Sequence, residues 1–134
     1  MENIPRIGVG VIIKRNGKVL AHKRRGAHGE GTWGLIGGHL NFMETIEECA
    51  RREALEEIGA VLKNLRIVDF TNNFFPQENK HYLTVFVTAD LSNVSTINVN
   101  EPDKIEALEW FEWDNLPEPM FVPVVNLKKK GFRP

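Results

Sequence analysis

Three glutamates at the spacing of one helical turn are the residues of this sequence best suited to chemistry. Glu53, Glu56 and Glu57 are three and four positions apart, and side chains at that spacing share one face of an α-helix. Carboxylates held this close repel one another and destabilise the helix unless a cation lies among them. Hard oxygen donors of this kind favour Mg²⁺ or Mn²⁺. The spacing therefore predicts a divalent-cation site, and the alternative is a solvated acidic helix face.

The residues around these glutamates predict the helix that carries them. Thr45 or the preceding Glu44 can begin the helix, and Gly59 is a natural C-cap at its other end. An apolar stripe at helical spacing consists of Ile46, Ala50, Ala54 and Ile58. The helix should bury small residues on one face and present acids on the other. The single cysteine, Cys49, is interpreted as an inert residue of this helix.

Other segments predict a sheet and a second helix. The glycine-rich residues 24–38 indicate a loop with a short strand near residues 33–36. The glycines would allow close approach of the backbone to a substrate, or they serve the geometry of the loop alone. An Asn16-Gly17 turn after residues 6–14 indicates a hairpin. Further strands are predicted at residues 65–75, 81–91 and 108–113, and a closing helix at residues 121–130, with Gly131 just past its end.

The composition narrows the classes of function. The 134 residues, 42% of them hydrophobic, fit one domain spanning residues 1–134. The 17 basic and 18 acidic residues nearly cancel, so we expect neither a nucleic-acid polymer nor a membrane as partner. There is no signal-peptide pattern and no apolar run long enough to cross a bilayer. With only one cysteine, the chain is expected in the cytoplasm.

The acidic segment resembles the Nudix box, the sequence motif of the Nudix hydrolase family. Its polar and glycine positions are occupied here by Gly38, Glu44, Arg52, Glu53, Glu56, Glu57 and Gly59. Flanking segments at residues 8–11, 23–24, 37–40 and 47–50 look like the MutT-like branch, which hydrolyses nucleoside triphosphates. The resemblance implies an α/β fold, an α/β/α sandwich in which a mixed β-sheet lies between helices and the box forms a loop-helix-loop motif.

The resemblance also implies the parts of a metal-dependent hydrolase. Glu56 and Glu57 match the principal metal ligands of the family, and the Gly37 carbonyl is a further one. Glu53 matches a carboxylate that binds metal or activates the attacking water, and we favour it as general base. A last acidic ligand is expected from a loop beyond the box. Glu101 is preferred for it over Asp103 and Glu106.

Supporting and substrate-binding roles follow from charge and position. Arg52 can pair with Glu48 or Glu56 or reach Glu44, which would hold the acids in place. Glu44 is expected to support catalysis, by assisting the base, contacting metal through water, or pairing with Arg52. The substrate-binding candidates are Arg24 and Lys23, which could contact phosphates, together with Gly38 and His39. The alternative for Arg24 is an exposed surface cation.

Several positions depart from the family pattern or have a simpler interpretation. Ile36, Asn41 and Met43 replace residues usual in the loop, and a positive φ at position 43 would cost a methionine roughly 1 kcal/mol. Core packing is favoured over base stacking for the aromatic residues Phe74, Phe75 and Tyr82. Surface or loop positions are the default for His22, His28, His39 and His81, of which only His39 adjoins the active loop.

These observations favour one function and leave two alternatives. The first is a Mg²⁺-dependent hydrolase that cleaves a nucleoside triphosphate to nucleoside monophosphate and pyrophosphate by attack of water at phosphorus. The second is a pyrophosphatase acting on ADP-ribose, another nucleotide sugar or a dinucleotide. The third is a nucleotide-binding module with little catalysis, which the substitutions at Ile36, Asn41 and Met43 make plausible. The family also implies a homodimer.

Overall fold

A computed structural model of the chain describes residues 3–26, 28–92 and 96–134. Its strands are β1 (Arg6–Arg15), β2 (Lys18–Arg24), β3 (Trp33–Gly34), β4 (Ile36–His39), β5 (Leu62–Phe75), β6 (Lys80–Leu91) and β7 (Ile105–Phe111). Its helices are α1 (Ile46–Ile58) and α2 (Val122–Lys129), with short 3₁₀ turns at Pro76–Glu78 and Trp113–Asn115. No helix in these described ranges has the length and apolar character needed to cross a membrane.

The strands form one mixed sheet. Its main path runs β3-β2-β1-β6-β5, with β4 also paired to β1 and β7 to β2. The β1–β6 pair is parallel, and the other pairs are antiparallel. The predicted hairpin joins β1 to β2, and both Asn16 and Gly17 have the positive φ that a tight turn of this type requires. Because β1 pairs with both β6 and β4, it places the glycines of β4 at the centre of the fold.

The two helices cover opposite faces of the sheet. Val9, Val11 and Ile13 pack with the buried side of α1, while Ile12 packs with Val124 and other residues of α2. Successive side chains of a strand point to opposite faces, so this alternation along β1 separates two cores. The predicted α/β fold, with a mixed sheet between helices, is confirmed.

The sequence located α1 closely because its signals are local. Thr45 is the N-cap, and its hydroxyl accepts from the Glu48 N–H while the Glu48 carboxylate accepts from the Thr45 N–H. Gly59 is the C-cap, with φ of 69°. The last strand was predicted less well, since β7 begins at Ile105 and ends before Trp113, which starts a 3₁₀ turn. The β5 strand likewise begins three residues before the predicted start.

Candidate functional site

Glycines in β4 allow α1 to lie against the sheet. A Cβ added to Gly37 would overlap the backbone carbonyl of Val9, and one added to Gly38 would overlap the Glu53 carboxylate. Glu57, one helical turn beyond Glu53, accepts a hydrogen bond from the Gly37 N–H at 3.1 Å. The paired glycines therefore bring the backbone of β4 within contact distance of two of the three helix carboxylates.

Arg52 holds the acidic residues of the site in place. Its guanidinium donates to both carboxylate oxygens of Glu44, at 2.7 and 3.0 Å, and to Glu53 at 2.6 Å. It also donates to Glu56 at 3.2 Å and to the His39 carbonyl at 3.0 Å. The two-oxygen contact lowers the pKa of Glu44 to about 2. Of the partners expected from the sequence, Arg52 pairs with Glu44 and Glu56, whereas Glu48 caps the helix.

Met43 adopts a backbone conformation that methionine rarely accepts. Its φ is 69°, in the left-handed region, and the residue is 86% exposed. Glu44 nevertheless reaches its partners, because its carboxylate accepts from the Asn41 N–H at 3.0 Å as well as from Arg52. The methionine therefore strains the loop without displacing the glutamate that follows it.

Glu57 is the most buried acid of the site. It is 7% exposed, and burial raises its pKa to about 8, with the charges of Glu53 and Glu101 adding to the rise and the Gly37 N–H opposing it. Burial also raises the pKa of Glu53, against the opposing effect of Arg52. Glu56 differs, since its side chain is largely exposed beside Arg52. The helix thus holds two largely buried carboxylates: Glu53 is paired with Arg52, whereas Glu57 has no ion pair in the described part of the chain.

The chemistry of these donors fits a hard divalent cation. Buried carboxylates that oppose one another's ionisation are stabilised when a cation replaces the missing positive charge. Within residues 3–26, 28–92 and 96–134, no three His, Cys, Asp or Glu side chains are drawn together as a ligand group. Among the three acids considered beyond the helix, Glu101 is close enough to raise the pKa of both Glu53 and Glu57. Asp103 lines the adjoining cleft, and Glu106 pairs with Lys23 at 3.3 Å.

A cleft of about 680 Å³ extends from these carboxylates across the sheet towards α2. It is lined by Glu53, Glu57, Gly37, Gly38 and His39 from α1 and β4, and by residues of β1, β2, β5, β6 and the start of α2. The candidates Arg24, Gly37, Gly38 and His39 therefore share one cavity with Glu53 and Glu57, whereas Glu56 and Glu101 are not among its lining residues. Lys23 does not line it, because its side chain is directed to Glu106 on β7.

Arg24 lies inside the cleft, so its interpretation as an exposed surface cation is wrong. Its Nε donates to the His28 carbonyl at 3.1 Å, and its guanidinium carbon lies 4.0 Å from the centre of the Phe121 ring. Burial lowers its pKa, with the charge of Glu57 opposing this. In the described part of the chain its terminal nitrogens have neither a hydrogen bond nor an ion pair. Arg24 therefore retains donors for a ligand in the cleft.

Aromatic residues form the wall of the cleft beside Arg24. His28 contacts Phe75 and Phe121 edge-on, and Phe75 in turn contacts Tyr82. Phe75 and Tyr82 thus combine packing with a position in the cleft, whereas Phe74 is 64% exposed and the prediction that it fills the core is wrong. Sequence reasoning missed Phe121 and His28, since they reach this wall from the α2 N-cap and a loop.

Two buried side chains test the interpretations made of His22 and Cys49 from the sequence. His22 is a buried residue of β2, so its assignment to the surface is wrong; its Nε2–H donates to the Leu35 carbonyl at 3.0 Å, and burial lowers its pKa to about 4. Cys49 is buried in α1, and burial raises its thiol pKa to about 12. A thiol with that pKa is almost wholly protonated at neutral pH, which fits an inert residue.

The family follows from comparison with known proteins. The NUDIX domain family model matches residues 4–128, which is most of the chain. The solved structure of a MutT NUDIX hydrolase from Burkholderia pseudomallei is 33% identical, with a TM-score of 0.85, over 93% of this chain and 97% of that one. This chain therefore belongs to the Nudix hydrolase family, as its acidic helix and paired glycines predict.

Two further similarities are to a longer relative and to a solved NUDIX domain. The NAD-capped RNA hydrolase NudC of Shigella dysenteriae serotype 1 is 33% identical over 109 residues, covering 80% of this chain. That match covers 39% of NudC, so the chain spans about two fifths of the length of such relatives. The NUDIX domain of Shewanella oneidensis NrtR, solved with ADP ribose, has a TM-score of 0.74 at 20% identity, over 96% of this chain and 86% of that one. At that identity the likeness is one of fold alone.

Proposed function

We propose that this chain is a Mg²⁺-dependent hydrolase that cleaves a nucleoside triphosphate to nucleoside monophosphate and pyrophosphate by attack of water at phosphorus. The observation that carries the proposal is the single cleft that joins the buried carboxylates of α1 to the partly unpaired guanidinium of Arg24. Such a cleft offers cation-binding oxygens and an anion-binding donor to the same molecule. A polyphosphate with bound metal has the matching charges.

The cation would be held by Glu53, Glu56 and Glu57, with the Gly37 carbonyl and Glu101 as further ligands. Mg²⁺ bound there, or Mn²⁺ in its place, neutralises phosphate charge and lowers the pKa of a bound water. The raised pKa values of Glu53 and Glu57 support this assignment, because a bound cation would favour the ionised form of both groups.

The remaining steps fall to the chain's own residues. Glu53 takes the proton of the attacking water, and its raised pKa brings it closer to the working pH of a general base. Arg52, anchored on Glu44, fixes the Glu53 carboxylate against the backbone of Gly38. Arg24 binds and orients the substrate phosphates with its free donors. Beside it, Gly38 and His39 supply the wall along which the substrate lies, and Lys23 has at most an indirect part through Glu106.

The test is hydrolysis of a nucleoside triphosphate panel with Mg²⁺, comparing wild type with two variants of α1. Glu53→Gln should lose most turnover, by about 100-fold or more, since a positioned general base contributes about that much. Glu47→Gln is the matched control, because Glu47 lies exposed on the same helix and outside the cleft. Pyrophosphate should be the released product. Unchanged turnover in Glu53→Gln would remove the proposed base, and direct release of orthophosphate would contradict the proposed bond cleavage.

The second candidate is hydrolysis of ADP-ribose or another nucleotide sugar or dinucleotide, and the similarity to NudC favours it. Adding ADP-ribose and NAD to the panel separates the two functions through kcat/KM for each compound. The nucleotide-binding module is less well supported, because Glu44 keeps its partners despite the strained Met43. Tight nucleotide binding with turnover indifferent to Glu53→Gln would favour it.

The partner, the cellular compartment, the oligomeric state and the domain bounds are further parts of this proposal. The partner is a nucleotide as a small molecule, in the cytoplasm, with no membrane and no nucleic-acid polymer. A homodimer and a single domain over residues 1–134 are expected as well. Sedimentation at concentrations from nanomolar to micromolar, with and without nucleotide, checks the homodimer.

A further inference from the structure

A buried network of polar side chains runs from α2 under β5 to the floor of the cleft. At its centre is Asn73, which is 0% exposed. We propose that this network directs the hydroxyl proton of Thr84 into the cleft, where Thr84 recognises a hydrogen-bond acceptor on the edge of the substrate's nucleobase. This inference rests on the proposed function and deepens it, because it assigns the residue that selects among nucleotides.

The orientation of the Asn73 amide follows from its neighbours. The Asn126 side-chain nitrogen lies 3.2 Å from the Asn72 carbonyl, so it is an N–H donor. The same nitrogen lies 2.9 Å from Asn73, so the atom of Asn73 that it contacts must be the oxygen. The Thr71 hydroxyl donates to that oxygen as well, at 3.1 Å. The other end of the Asn73 amide is therefore its NH₂ group.

This orientation determines the role of the Thr84 oxygen. The Asn73 NH₂ group donates to Thr84 Oγ1 at 2.8 Å and to the Thr71 carbonyl at 3.4 Å. Thr84 therefore accepts inside the network, and its own proton must be donated elsewhere. No acceptor for that proton is found among residues 3–26, 28–92 and 96–134. A ligand that displaces water from this hydroxyl must offer an acceptor in its place, or the donor is left unpaired.

The cleft gives a ligand access to this hydroxyl. Thr84 lines the cleft beside Gly8 and Gly10, which lie in register with Thr84 and Phe86 on the parallel strands β1 and β6. A Cβ at Gly8 would lie 3.6 Å from Thr84 Oγ1. Because Gly8 has no side chain, the space over the hydroxyl is open. The floor of the cleft beside Gly8 is therefore flat and presents one hydrogen-bond donor, the Thr84 hydroxyl.

The surroundings of Thr84 suit a nucleobase better than a phosphate. Tyr82, Thr84 and Phe86 lie on the same face of β6, and Phe86 belongs to the apolar core under α2. Glu53 and Glu57 come from α1, which packs on the opposite face. A flat, uncharged ring fits an aromatic and apolar floor, whereas the charged phosphates belong with the cation ligands. The acceptor on the nucleobase is a carbonyl oxygen or an unprotonated ring nitrogen. The Thr84 hydroxyl therefore favours a base with such an atom at this point over a base with an amino group there.

The test measures kcat/KM for ATP, ITP, CTP and UTP, with wild type and three variants. Thr84→Val keeps the side-chain shape and removes the donor, so the ratio of best to worst substrate should fall about 10- to 100-fold, the scale of one buried polar group left unpaired. Thr84→Ser keeps the donor and should retain the ratio within about threefold. Gly8→Ala should lower the ratio as Thr84→Val does, because its methyl group covers the hydroxyl from the cleft without a clash.

The outcomes separate this inference from the proposed function. Selection by Thr84 is overturned if Thr84→Val leaves the ratio unchanged. It is also overturned if the folded variant loses kcat/KM equally for all four substrates. If Gly8→Ala preserves the ratio that Thr84→Val loses, the hydroxyl does not face the cleft as described. Should wild type hydrolyse none of the four, the proposed function fails. In that case the role of Thr84 is decided by calorimetry. The ratio of best to worst affinity among the non-hydrolysable α,β-methylene triphosphates is compared between wild type and the three variants.

Discussion

Replacing Glu57 with glutamine should stabilise the cation-free protein at alkaline pH. In the folded chain burial raises the pKa of Glu57 from 4.5 to about 8. Between these values an unfolded chain loses the proton while the folded chain keeps it, so unfolding is increasingly favoured as pH rises. The stability associated with the protonated group is complete below pH 4.5 and lost by about pH 8. Glutamine is neutral throughout and escapes this loss.

The size of the effect follows from the same pKa change. Each pH unit between the unfolded and folded pKa corresponds to about 1.4 kcal/mol, so the interval from 4.5 to about 8 sets an upper limit of about 5 kcal/mol. Relaxation and water entry around an ionised buried carboxylate reduce this, and we expect about 2 to 3 kcal/mol. For a chain of this size that is roughly 6 to 10 °C in Tm.

The assay is thermal unfolding of wild type and Glu57→Gln in EDTA from pH 4.5 to 9, with Glu47→Gln as control. The two Tm curves should meet near pH 4.5 and separate as pH rises, with the variant higher. Added Mg²⁺ should raise the Tm of wild type at pH 8.5 more than that of Glu57→Gln, because the variant binds the cation more weakly. Parallel curves for wild type and variant across this pH range would refute the reasoning that Glu57 is a buried carboxyl lacking a cation.

Three other substitutions test separate parts of the site. Met43→Gly should raise stability by up to about 1 kcal/mol, measured by urea denaturation, because glycine accepts the left-handed φ; a loss would mean that the strain is absent. Arg52→Lys should lower kcat about 10- to 100-fold with little change in KM, since an ammonium cannot span Glu44 and Glu53 together; wild-type kcat would contradict this. Gly38→Ala should reduce turnover severely by displacing the Glu53 carboxylate, and unaltered kinetics would show that the overlap is relieved elsewhere.

The parts of the site that depend on local spacing were predicted from the sequence. Helix α1, its Thr45 cap and its Gly59 end follow from neighbouring residues, and so do the Arg52 contacts with Glu44 and Glu56. These interactions span eight positions or fewer along the chain. The conditional prediction that Met43 would be strained also follows from a local backbone requirement, and its φ agrees with it.

The parts that depend on long-range packing could not be predicted in the same way. Phe121 reaches Arg24 from the far end of the chain, and Lys23 turns to Glu106 because β2 pairs with β7. Thr84 gains its role only through Asn73 and the parallel pairing of β1 with β6. A single sequence shows the residue types but not which strands are neighbours. The wall and floor of the cleft were therefore missed, while its acidic side was found.

Binding of Mn²⁺ to the acidic helix tests the account most directly. Electron paramagnetic resonance titrations of wild type, Glu57→Gln and Glu47→Gln report free and bound Mn²⁺ without relying on turnover. We predict one or more sites in wild type and Glu47→Gln, with affinity at least about tenfold weaker in Glu57→Gln, because Glu57 belongs to the ligand set. Equal Mn²⁺ affinity in wild type and Glu57→Gln, or no binding to wild type at neutral pH, would contradict a cation site on α1.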